Sequence, residues 1–229
     1  MMIELSTLKA LIDEHRLDAS HRYLRDSIGV LARRERALDA LEAHAREVAL
    51  WAQPKVEQQR AHLTAQREQV EAQLAADFEA LHGIFRDLHL DPPKDPADAA
   101  SSWPLVSDAA ARAERDDRLL RDTAFDGEMA VLGAVSAPPE SPVIGAARIA
   151  RELTQRIPQH QAHIANINER INETTIASYD MWAVETELDL ERRGLYSDPR
   201  DPNARPELDP GLIRELADVG IDLGESVQQ

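Results

Sequence analysis

The chain has no cysteine, so disulfides, thiol nucleophiles and thiolate metal sites are excluded, while the compartment stays open. Aromatic residues are only 4% of the 229 residues, and glycine occurs nine times. Compact cores usually take their bulk from rings. A chain poor in rings but rich in Ala, Leu, Glu and Arg points instead to thin layers of helix against helix. Lysine is almost missing: Lys9, Lys55 and Lys94 stand alone, and arginine supplies the other positive charges. That bias suggests a GC-rich bacterial or phage gene. No apolar run approaches the ~18 residues of a spanning helix. Residues 1–16 have no apolar stretch and include Glu4, Asp13 and Glu14, unlike a secretory leader. The expectation is a cytoplasmic protein with no membrane role.

Positive charge is also scarce. There are 26 basic against 42 acidic residues, a net charge of −16, which disfavours binding to phosphate backbones and anionic lipid. Nucleic acid is therefore not an expected partner. The imbalance is concentrated: residues 180–229 hold 13 acidic residues against five arginines, half of the net negative charge.

What is present is helical periodicity. Residues 5–17 form a first apolar stripe through Leu5, Leu8, Leu11 and Ile12. Asp18 or Ser20 caps a second helix with Leu24, Ile28, Leu31, Leu38, Leu41, Ala45, Val48 and Ala52 on its seam. A third helix follows Pro54 and carries Val56, Leu63, Val70, Leu74, Phe78, Leu81, Phe85 and Leu88. The seam runs on from Ala52 to Val56, as in one kinked rod. The polar flank after Pro54 (Gln59, Gln66) favours the exposed tip of a helical hairpin instead.

Residues 90–106 contain four prolines and no period, and read as a linker in which Trp103 pins the loop to a core. A helix over 108–135 carries Leu119, Leu120, Phe125, Met129 and Leu132, and ends at Pro138 and Pro139. The longest periodic segment, 143–193, contains a seam through Ile149, Leu153, Ile157, His160, Ile164, Ile167, Ile171, Thr174, Ser178, Met181, Glu185 and Leu188, spaced by threes and fours like a heptad repeat. As one helix, kinked at Pro158, it would extend roughly 75 Å. Gly194 is placed to end it. Asp209-Pro210 then opens a short helix bearing Leu212, Ile213, Leu216 and Val219.

The expected fold is all-α: an elongated helical bundle or antiparallel coiled coil of long amphipathic helices with a short C-terminal helical tail. The expected segments are 1–89, a linker at 90–106, 107–193, and an acidic Pro-rich tail at 194–229.

Several motifs offer chemistry. Glu79 and His82 stand one turn apart, as carboxylate-bridged di-metal bundles require, but the matching pair, Asp18 and His21, lies at a helix end. His160 and His163 share that spacing, although a polar residue on a seam more often sets register. Asn166, Asn168 and Asn172 flank the same seam. Arg33, Arg34 and Arg36 make a basic patch that the acidic tail can meet. No Gly-rich phosphate loop, nucleophile elbow or HExxH motif is present, and no cofactor is implied.

The leading expectation is a non-catalytic scaffold, adaptor or assembly protein. It would self-associate through Leu153, Ile157, His160, Ile164, Ile167 and Ile171, and dock a partner through Leu212, Ile213, Leu216 and Val219. An acidic inhibitor of a basic partner, such as an immunity protein or DNA mimic, is the second reading. A di-metal helical enzyme is the third.

Overall fold

In the computed structural model the described residues are 2–22, 27–125, 142–195, 201 and 203–223. They form an all-α fold with no strand among them. The helices are α1 (Leu5–Arg22), α2 (Ile28–Asp87), α3 (Trp103–Phe125), α4 (Pro142–Glu173), α5 (Ile176–Arg192) and α6 (Pro210–Asp218), with two short 3-10 turns, Pro96–Asp98 and Ala100–Ser102, before α3.

The hairpin expected at Pro54 does not form: α2 runs through it as one 60-residue helix. Proline inside a helix removes one hydrogen bond and crowds the preceding turn. That cost is met where it is least harmful, since Pro54 and the preceding Leu50 both face solvent, while Val48, Ala52 and Val56 continue one buried stripe in steps of four. Continuity of the buried face outweighs the local penalty.

Three further boundaries differ from expectation: α3 begins at Trp103, inside the linker expected at 90–106, and two others are displaced. α1 does not end at Asp18 or Ser20. The Ser20 hydroxyl donates to the Leu17 carbonyl within the helix, and Asp18 pairs with Arg22 and with Arg34. The long heptad segment is divided at Thr174–Thr175. There Thr175 caps α5 in a reciprocal box with Ser178, the Thr174 hydroxyl donates to the Arg170 carbonyl, and Arg60 Nε donates to the Thr174 carbonyl at 2.7 Å. Side-chain hydroxyls that bond nearby backbone compete with helix continuation. Leu24, Met129, Leu132, Pro138 and Pro139 lie outside the described residues.

Three ends share one device. At His89, Gly194 and Gly220 the backbone turns left-handed, and the following N–H bonds a carbonyl five residues back. This double-bonded C-terminal motif satisfies orphan carbonyls and turns the chain sharply. At the last of them it delivers Ile221 into the core.

The chain packs as two compact units, 1–62 with 170–229, and 63–169, which cut across the four consecutive segments expected. The first unit buries Leu5, Leu8 and Ile12 of α1, Leu38, Leu41, Ala45 and Val48 of α2, and Leu208, Leu216, Ile221 and Leu223 from the C-terminal segment. The second buries Leu81 and Phe85 of α2, Ala99, Val106 of α3, and Ala147, Ala150, Leu153 and Ile157 of α4, with Trp103 packed against them. One helix, α2, therefore serves two cores.

Candidate functional site

A fully buried polar arrangement lies in the first unit. Asp180 occupies the apolar stripe of α5 between Ile176 and Val184, so the helix carries its carboxylate into the core. Arg205 meets it there: Nε donates to Asp180 Oδ1 at 2.6 Å, and both side chains are fully buried. The Leu5 N–H donates to Asp180 Oδ2 at 2.5 Å, and Arg205 Nη2 donates to the Ile3 carbonyl. One ion pair thus ties the start of α1, α5 and the C-terminal segment together. A buried charge is tolerated when it is both paired and hydrogen-bonded.

Other ionisable groups crowd this pair. Burial, then the Arg205 charge, holds the His44 imidazole below its ordinary pKa of 6.5; the Glu47 and Asp180 charges push back. Burial raises the Glu187 carboxyl above 4.5, with Arg205 and Lys55 opposing and Glu207 and Asp180 reinforcing. Glu187 Oε2 and Arg205 Nη1 are buried without a hydrogen-bond partner. Nearby, Trp51 Nε1 donates to the Asn203 carbonyl at 2.8 Å, Lys55 Nζ lies 4.7 Å from the centre of the Trp51 ring, and Tyr179 packs on Trp51 at 5.8 Å between ring centres. Burial also raises the Tyr179 hydroxyl pKa. These bonds fasten the C-terminal segment.

In the second unit Asp77 receives Arg156 through Nε at 3.0 Å and Nη2 at 2.5 Å, and His160 Nε2 at 3.2 Å. His160 is thereby committed to α2. Its seam neighbours are committed in the same way: Leu153 and Ile157 lie in the core, Ile167 is fully buried, and Asn168 Oδ1 accepts Arg67 at 3.5 Å. Ile164 and Ile171 are half-buried. Of the seam expected to bind a second copy, Leu153 and Ile157 are covered within the chain by Leu81 and Phe85 of α2, whereas Ile149 and Met181 stay exposed.

The helix expected to dock a partner is also laid on its own unit. Leu216 is fully buried, and Leu212, Ile213 and Val219 pack against the same core. A nine-residue helix is too short to persist alone, so burial of this face is what holds it.

The metal motifs disperse. Glu79 is exposed and pairs with Arg86, while His82 Nε2 donates to the Pro93 carbonyl at 2.7 Å and its ring packs on Phe78. Asp18 and His21 are separately bonded within the first unit. Among the described residues no three His, Asp or Glu side chains converge on a cation position.

No family model matches this chain, and no curated protein or solved structure does either.

Part of the basic patch and the end of α6 border one groove. Arg33 and Arg36 of α2 line a shallow groove of about 230 Å³ with Glu215, Asp218 and Val219 at the end of α6. Arg34 turns inward to His15 and Asp18. A larger groove of about 720 Å³ lies between α1 and α2, with Ile28, Leu31 and Leu38 among its apolar lining and Arg16, Glu35 and Asp39 around them. No described helix is long and apolar enough to cross a membrane.

Sequence reading missed both polar centres. A signal existed for each: Asp180 interrupts an apolar i, i+4 stripe, and His160 interrupts the heptad seam, so each asks for a buried counterpart. The counterparts, Arg205 and Asp77, lie 25 and 83 residues away, and nothing in local spacing names them.

Proposed function

We propose that this chain is a non-catalytic helical adaptor or scaffold that works by contact with protein, either a second copy or another chain. The observation behind this reading is that a single helix, α2, contributes side chains to two separately cored units. Such a helix couples two bodies and needs no reactive centre to do so. Three of the side chains that suggested chemistry, Glu79, His82 and His160, are engaged in structural bonds, which fits the same reading.

Exposed apolar side chains are the contact positions this reading favours, among them Leu17 and Ile28 in the first unit and Leu105 in the second. The acidic-inhibitor reading has less behind it, since Asp180 is buried on Arg205 and Glu215 and Asp218 share a groove with Arg33 and Arg36. The test is the mass of the full chain in solution across a wide concentration range, alone and with candidate partner proteins. Assembly with a defined stoichiometry supports the scaffold. A chain that stays monomeric when concentrated and binds no protein saturably removes it.

A further inference from the structure

No further inference is drawn: the strongest candidate, the groove of about 720 Å³ that α1 and α2 form beside Ile28, Leu31 and Leu38, carries nothing, because nothing in the structure shows what covers it.

Discussion

Asp180 and Arg205 are each acceptable in the core only because of the other. Removing one leaves an uncompensated charge in a dry site, which typically costs about 3–5 kcal/mol. Arg205→Met is therefore expected to destabilise the first unit by about that amount, read by chemical denaturation. Adding Asp180→Leu should recover much of the loss, because an apolar pair of similar bulk replaces a pair whose attraction only offsets its desolvation. If the double variant is no better than the single one, backbone anchoring of Ile3 and Leu5 matters more than charge.

The pH dependence of the same cluster has two opposing parts. His44 has a folded pKa below 6.5, so its unfolded form binds the extra proton between those values. Stability is whole above pH 6.5 and falls as pH drops through 6.5 toward the folded value. Glu187 has a folded pKa above 4.5, so here the folded form holds the extra proton. Its contribution is greatest below 4.5 and is lost as pH rises through the folded value. His44→Gln should accordingly lose less stability than the parent chain on mild acidification. Glu187→Gln should gain on the parent as pH rises from 4.5. Fluorescence of a Trp103→Phe background follows the first unit, because Trp51 and Trp182 both belong to it. Parallel pH profiles for parent and variants would show that neither group titrates differently on folding.

At the scale of elements, what was legible was whatever depends on near neighbours. The stripes through Leu5, Leu8 and Ile12, and through Leu38, Leu41, Ala45 and Val48, are the buried faces of α1 and α2. Gly194 ends α5 with a left-handed turn. What was not legible were contests between a local rule and a distant contact. Pro54 signals a break, but Ala52 and Val56 on either side of it are both buried. Thr174–Thr175 stays in phase with the heptad, yet local hydroxyl bonds and Arg60 end the helix there.

Both kinds of element invite tests. Pro54→Ala restores the missing donor at an exposed position and should stabilise the chain by about 3 kcal/mol, the usual difference between the two residues inside a helix. A gain in melting temperature with unchanged helical circular dichroism is the expected reading. Unchanged or lower stability would mean that α2 is adapted to a bend at Pro54. Gly220, at φ 77°, accepts a side chain only with strain, and Gly220→Ala should cost about 1 kcal/mol.

For the whole molecule, the all-α class and the need for a helix facing the long seam could be read from sequence, but the identity of that helix could not. A heptad seam specifies a facing apolar stripe and is silent on whether that stripe belongs to the same chain. The structure places Leu153 and Ile157 in a core with Leu81 and Phe85 of α2, which separates stability from association. Ile157→Ala, at a fully buried position, should destabilise the second unit by about 2–5 kcal/mol, read through Trp103, which packs on that core. Leu216→Ala should cost a similar amount, about 2–5 kcal/mol, but read through Trp51 and Trp182, because α6 belongs to the other unit. Neither change should alter the stoichiometry of any assembly the intact chain forms, since both residues are fully buried within their own units. Sedimentation of the folded variants beside the parent chain decides the point. Loss of assembly in Ile157→Ala while the chain stays folded would return the seam to the role of an interface between copies. Loss only on charging exposed Leu17, Ile28 or Leu105 would put the interface on the surface.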